Sequence, residues 1–335
     1  MKPSLPIIGI TMGDPVGIGP EIIVSALADP GLFNQCRPLV IGDATVMKKA
    51  MDLKQSRMVL NQAASPETGI YSHGIMDLYP TSDLKDLPLT PGIPTPETGR
   101  AMLSYITTAV DLALEGRISG MATCPITKTA MKMAGSPFHG HTELIAHRTG
   151  TADFSMMLAG DRLKVVLVTI HIPVSQVSRS LSVEAVLKTI RITGISLQKR
   201  FGILRPRIAV AGLNPHAGES SMFGTEEETI IRPAMELASR EGFDVSGPYP
   251  PDTLFFHAAK GTWDAVVCMY HDQGLIPFKM IHFSDGVNTT LGLPIIRTSV
   301  DHGTAYDIAW QGIADHSSLV QAIRMAALQA SSSIN

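Results

Sequence analysis

Three histidines in this 335-residue chain share one kind of position. His171 closes the apolar run 165–170, His216 comes a few residues after the run 208–211, and His271 follows the run 266–269. Short runs rich in Val, Ile and Ala that end in polar turns read as buried parallel strands. Each imidazole then lies just beyond the carboxyl end of a strand, where open α/β sheets bind ligands. Three imidazoles at one such edge would suit a borderline divalent cation with positions left for substrate. Any one of them alone reads more readily as a hydrogen-bonded loop histidine; the shared position of all three is what favours a metal. Asp272 or Glu219 could hold a ligand histidine from behind.

A second constellation is basic and polar: His141-Thr142, Lys279, Asn288 and Arg297. Lys and Arg carry charge suited to phosphate or carboxylate, and Asn288 adds an amide. Solvated surface charge is the plainer reading of such residues. Lys279 and Arg297, however, sit between apolar neighbours in 276–280 and 294–298. A cation there is partly desolvated and requires a partner. Asp252 and Lys128 are candidates for proton transfer, or are structural. The stretch 264–304 holds His271, Lys279, Asn288, Arg297, Asp301 and His302, enough to form one side of an active-site cleft.

The elements that must position these groups alternate in type. Strands are expected at 7–11, 38–43, 120–124, 154–159, 163–170, 207–212 and 265–269. Helices are expected at about 20–27, 96–115, 182–200 and 317–330, from apolar residues at helical spacing. Pro20 suits a first helical turn, Ser182 a cap, and Gly116 and Gly202 stops. Thr225-Glu226-Glu227-Glu228 fits a capping box, and Pro233 kinks or starts the helix that follows. Residues 61–94 read as irregular. The alternation implies βαβ units and a largely parallel sheet, the α/β class. The first turn, 13–21, is glycine-rich but lacks the dinucleotide-fingerprint spacing, and Asp14 would repel phosphate.

Composition bounds the rest. The length suggests two lobes. The expected division is residues 1–130 with about 295–335 in one lobe and about 131–294 in the other. Hydrophobic residues make up 44%, charged residues 17%, and net charge is −3, which recommends neither nucleic acid nor a membrane surface as partner. Three scattered cysteines argue against a disulfide framework and for a reducing compartment. No apolar run is long enough to span a bilayer or to serve as a secretory signal, so a cytoplasmic protein is expected.

Several long segments carry a resemblance: 213–219 (Leu-Asn-Pro-His-Ala-Gly-Glu), 269–274 (Met-Tyr-His-Asp-Gln-Gly), 286–294, 140–143 and 296–305. They resemble the 4-hydroxythreonine-4-phosphate dehydrogenase family of pyridoxal-phosphate biosynthesis, and the likeness runs from Gly9 nearly to the C-terminus. The resemblance implies two α/β/α lobes like those of isocitrate and isopropylmalate dehydrogenases, with the site in the cleft. It implies one divalent ion (zinc, magnesium or cobalt) held by His171, His216 and His271, the third supplied by the other subunit of an obligate homodimer. The second lobe would carry these histidines and the dimer interface. It implies His141, Thr142, Lys279, Asn288 and Arg297 as substrate ligands. The expected reaction is oxidation of a secondary alcohol with NAD, or NADP in its place, and loss of carbon dioxide from the resulting β-keto acid. The run 302–315 resembles the cofactor loop of the wider group, which carries His302 and Gly303 to the cofactor; Asp315 stands where that group has Asn. The start at 10–15 and the run 307–310 lean toward a branch acting on 4-phospho-D-threonate or 4-phospho-D-erythronate, so the phosphorylated acid stays open. A branch acting on dihydrodiol dicarboxylates ranks last. The rival from another class is a tri-histidine hydrolase or lyase without nicotinamide.

Overall fold

The computed structural model describes residues 5–138 and 140–332. Twelve strands are described: β1 Ile7–Thr11, β2 Arg37–Asp43, β3 Val59–Gln62, β4 Ile75–Ser82, β5 Gly120–Thr123, β6 Ser155–Ala159, β7 Lys164–Leu167, β8 Arg207–Ala211, β9 Asp244–Tyr249, β10 Ala265–Cys268, β11 Val287–Leu291 and β12 Arg297–Ser299. The chain divides into two compact units, Met1–Ala152 with Leu293–Ser331, and Asp153–Gly292.

In the first unit the strand order is β3-β4-β2-β1-β5-β12, and every neighbouring pair is parallel. Parallel neighbours need a crossover between them. The helices Gly19–Leu27, Ala44–Leu53 and Pro96–Leu114 serve that purpose and bury apolar faces. Asp43 starts the second of these, accepting the N–H groups of Thr45 and Val46. Thr95 and Thr98 form a reciprocal cap on the third. The expectation of an irregular 61–94 fails at β4. This strand is parallel to both β2 and β3 and carries a buried carboxylate, Asp77, which accepts from Asn61 Nδ2 and from the N–H groups of Ile70 and Tyr71. A charged residue inside a buried strand breaks the apolar signal a sequence reader relies on.

In the second unit the order is β11-β6-β7-β10-β8-β9. The pairs β11–β6 and β6–β7 are antiparallel; β7, β10, β8 and β9 run parallel. Leu158, Val165, Leu167, Ala209, Val266, Cys268 and Phe278 share its core. Ser182 accepts the Ala185 N–H to open the helix Val183–Phe201, and Gly202, at φ +68°, ends it. The helix His271–Ile281 begins in the polar cluster that the sequence suggested only as a strand break.

Two further expectations are corrected. The division falls at Ala152/Asp153 and not near residue 130. The helix His141–Arg148 belongs with the first unit, tied to the long helix Pro96–Leu114 by Arg148, whose guanidinium donates to both oxygens of Asp111 at 2.6 and 2.5 Å. Thr225 makes no capping box. Glu226 accepts instead from Ser178 Oγ and Asn214 Nδ2, and a wide helical turn, Glu227–Ile231, leads into the helix Arg232–Arg240, with Pro233 in its first turn.

Candidate active site

The histidine-bearing strands are neighbours in the second unit: β7 pairs with β10, and β10 with β8, all parallel. Their carboxyl ends therefore lie along one edge. His171 and His271 meet there, with ring centroids 5.6 Å apart. They share a cavity of about 210 Å³ with Ile170, Tyr270 and Asp272 among its walls. His271 is the first residue of its helix, and its Nδ1 lies 2.7 Å from Asp272 Oδ1. That contact orients the ring and leaves Nε2 for a ligand. Two imidazoles with a supporting carboxylate fit part of a borderline divalent ion's donor set. Among the described residues no three His, Cys, Asp or Glu groups converge on one point.

His216 packs against Phe223, ring centroids 6.1 Å apart. It opens a run of six residues with positive φ: His216, Ala217, Gly218, Glu219, Ser220 and Ser221. Five of them are not glycine, and such strain collects where a site over-determines the backbone. Glu227, 1% exposed, pins the loop's root. Its Oε1 accepts the N–H groups of Leu213 and Asn214, both at 2.7 Å, and its Oε2 accepts Asn214 Nδ2 at 2.9 Å. The Glu219 backbone N–H donates to the His216 carbonyl, but among the described residues its carboxylate meets no histidine ring; of the two supports suggested, Asp272 is the one beside an imidazole.

In the first unit Arg297, only 4% exposed, projects from β12 and donates from Nη2 to Thr123 Oγ1 at 3.0 Å. Burial pulls its guanidinium down to about 10, which keeps it charged at neutral pH. His141 opens the helix His141–Arg148 behind Gly140, which supplies no side-chain cap. Burial, then the nearby Arg297 charge, hold His141 well below the usual imidazole range. Its Nε2 is buried with no hydrogen-bond partner among the described residues. Thr142 follows it in the helix's first turn. A neutral, unsatisfied imidazole, a buried cation and an open helix N-terminus make an anion's surroundings.

In the second unit Asn288, on β11, donates from Nδ2 to Met156 Sδ at 3.1 Å, while its Oδ1 is buried with no partner among the described residues. Lys279 stands half-buried in the last turn of the helix His271–Ile281. Asp252 and Lys128 are both exposed, each in the first turn of a helix.

The run 302–315 belongs to the first unit. His302 is exposed, with Nδ1 3.1 Å from the Gly303 carbonyl. A Cβ added at Gly303 would meet nothing within 4 Å, so the backbone there is bare, as a dinucleotide's close approach requires. Asp315 holds Ser317 through both its N–H and its hydroxyl, at 2.9 and 2.7 Å, where the terminal helix begins. Gly13, at φ +74°, lies in a crowded turn; an added Cβ would come 2.4 Å from the Pro125 carbonyl. From the sequence alone Glu21 and Tyr306 show no role, Asp14 figures only as a charge repelling phosphate, and Trp310 only as part of the run 307–310. The available signal was two acids inside an otherwise apolar, glycine-rich turn.

The family model described as "Pyridoxal phosphate biosynthetic protein PdxA" matches residues 34–326. The 4-hydroxythreonine-4-phosphate dehydrogenase of Desulforapulum autotrophicum is 67% identical over 330 residues, 98% of this chain and 97% of the relative. The D-threonate 4-phosphate dehydrogenase of Cupriavidus necator is 47% identical over 333 residues, 98% of each. The crystal structure of the 4-hydroxythreonine-4-phosphate dehydrogenase of Klebsiella pneumoniae superposes with a TM-score of 0.92 at 42% identity, covering 98% of this chain and 100% of that one.

Proposed function

The chain belongs to the family of the pyridoxal phosphate biosynthetic protein PdxA, and from that premise we propose that it oxidises 4-hydroxythreonine 4-phosphate with NAD and releases carbon dioxide. It is a dehydrogenase acting on a hydroxyl group, as its relatives are. One observation carries the substrate choice: 67% identity over 98% of the chain to a 4-hydroxythreonine-4-phosphate dehydrogenase, against 47% to a D-threonate 4-phosphate dehydrogenase. No helix among the described residues is long and apolar enough to cross a membrane.

Arg297, His141, Thr142, Lys279 and Asn288 bind the substrate's anionic and polar ends. Fixing both ends holds the reacting carbon in one orientation toward the cofactor, which supplies much of the rate. His141, kept neutral, donates or accepts a hydrogen bond without adding a second charge beside Arg297. His302 and the bare backbone at Gly303 receive the cofactor. His171, His216 and His271 hold a divalent ion (zinc, magnesium or cobalt), with Asp272 fixing the His271 ring. When bound, that ion would supply a Lewis acid for the hydroxyl being oxidised. Asp252 or Lys128, each exposed in the first turn of a helix, serves proton transfer.

The metal centre is shared in a homodimer. Support comes from the absence of three converging ligands among the described residues; His171 meets His271 of its own chain, the histidine expected from the other subunit, so this pair is at most part of a centre. The helix that starts at His271 also presents Ile276 and Met280, 60% and 85% exposed, and Phe283 beyond it is 83% exposed. A second copy covering that apolar face would sit on the element that carries the half-site.

The test is reduced-nicotinamide absorbance with purified protein, divalent metal and NAD. 4-Hydroxythreonine 4-phosphate and 4-phospho-D-threonate are offered side by side. Preference for the amino acid is expected. Preference for 4-phospho-D-threonate would move the chain to the other substrate, and no reduction with either would overturn the reading.

A further inference from the structure

We infer that two buried acids in the first strand-to-helix turn, Glu21 and Asp14, are positioning residues that set the shape of the 302–312 backbone for the cofactor. This rests on the proposed binding of NAD at His302 and Gly303.

No helix or strand is described between Ser299 and Ser317, so regular ladders do not hold this segment. Its own backbone bonds are few, with Ile308 N–H to the Ala305 carbonyl and Gln311 N–H to the Ile308 carbonyl. Two of its residues that are not glycine, Ala305 and Trp310, have φ of +42° and +62°, a region such residues rarely occupy unaided. The strain must be met from elsewhere, and the contacts show from where. Glu21, 2% exposed, accepts the Trp310 N–H on Oε1 at 2.7 Å and the Gly312 N–H on Oε2 at 2.8 Å. Both carboxylate oxygens are thus spent on the loop's backbone. The Tyr306 hydroxyl donates to Asp14 Oδ2 at 2.6 Å, and Asp14 Oδ1 accepts the Val16 N–H within its own turn. Trp310 Nε1 donates to the Pro15 carbonyl, Ile18 N–H to the Thr304 carbonyl, and Lys54 Nζ to the Gly312 carbonyl. The loop is therefore moulded on the turn. A fully buried carboxylate with two N–H groups converging on it tolerates no donor in its place.

This arrangement assigns the glycine-rich turn a role other than phosphate binding. The N–H groups of Asp14, Val16, Gly17 and Ile18 already donate within the protein, and the turn holds in shape the segment that receives the dinucleotide.

Two substitutions probe the two anchors. Glu21→Gln keeps the volume but sets an NH2 against one of the two N–H groups. Tyr306→Phe deletes only the hydroxyl that reaches Asp14. Both are made in a Trp263→Phe background, where Trp310 is the sole tryptophan of the two in the chain. Emission of Trp310 then reports the loop without cofactor, and titration with NAD gives its Kd. Each substitution is expected to red-shift Trp310 emission and raise the Kd for NAD about tenfold, while the KM for the phosphorylated acid at saturating NAD stays within twofold. A merely structural role would move both ligands or only the melting temperature. Unchanged emission and unchanged NAD affinity in both variants would overturn the inference. If the Trp263→Phe parent itself fails to bind NAD, the cofactor assignment falls, and Trp310 emission still decides whether Glu21 and Asp14 shape the loop.

Discussion

Replacing Glu227 by Gln tests whether the loop bearing His216 owes its shape to one buried carboxylate. The side chain is 1% exposed and accepts three hydrogen bonds. In the glutamine the carbonyl oxygen can keep the two backbone N–H groups, now without charge assistance. Bonds to charged groups contribute about 1.5–3 kcal/mol and neutral ones about 0.5–1.5, so that change costs roughly 1 kcal/mol for each bond. The amide nitrogen replaces Oε2 and faces Asn214 Nδ2, donor against donor. Asn214 cannot simply flip, because the same Nδ2 donates to Glu226 Oε2 at 2.8 Å. The third bond is therefore lost, for a further ~1 kcal/mol, and the sum is about 3 kcal/mol. Burial means solvent screens none of it. The assay is urea unfolding followed by Trp263, which lies in the second unit, with Trp310 replaced by Phe. The midpoint should fall by about 1–2 M for a urea slope of about 2 kcal/mol/M. Cobalt affinity should fall in the same variant because the loop no longer holds His216. An unchanged midpoint together with unchanged cobalt affinity would refute the argument that Glu227 supports this loop.

Other substitutions bear on other parts of the site. Asp272→Asn weakens the support behind His271; since Asp272 is 63% exposed, a fall in cobalt or zinc affinity of about tenfold, the low end for such a partner, is expected by chelator competition. Arg297→Gln removes a buried cation, and the KM for the phosphorylated acid should rise about 10- to 100-fold while the Kd for NAD holds. Met280→Glu puts a charge on the exposed apolar face; light scattering should find monomers, with metal-dependent turnover lost and circular dichroism unchanged. Asp14 tests a pH argument. Burial holds its carboxyl above the usual value of about 3.9, so ionisation opposes folding. Below that usual value folded and unfolded states both keep the proton and the handicap vanishes; it grows as pH rises through the folded value. In Asp14→Asn the Tyr306 hydroxyl can reverse and accept from the amide. The variant should melt higher than the parent at pH 7 and no higher at pH 3, and an equal gain at both would contradict the burial argument.

Much of the fold was legible because local chemistry and tertiary structure agree. The alternation of apolar runs with amphipathic segments placed β1, β2, β5, β8 and β10, and Ser182 and Gly202 marked the ends of a long helix, since caps and left-handed stops are properties of a few adjacent residues. The failures share a cause. Asp77 in β4, Glu227 at the root of the His216 loop and Glu21 in the first turn are buried acids. A linear reading assigns acids to the surface, and only distant N–H groups make their burial affordable.

The sequence by itself determined which side chains are available for chemistry. It placed three histidines after strand ends, because strand length and polarity are local, and it offered the resemblance that names a reaction. Tertiary structure decided what these groups do to one another. Strand order made β7 and β10 neighbours, so His171 and His271 meet while His216 stands in a strained loop of its own. Packing brought Arg297 beside His141 and left that imidazole neutral. Turn 13–21 became the mould for 302–312 through hydrogen bonds nearly 300 residues apart in the chain. Pairings at that separation depend on which surfaces are buried together, and no local spacing encodes that.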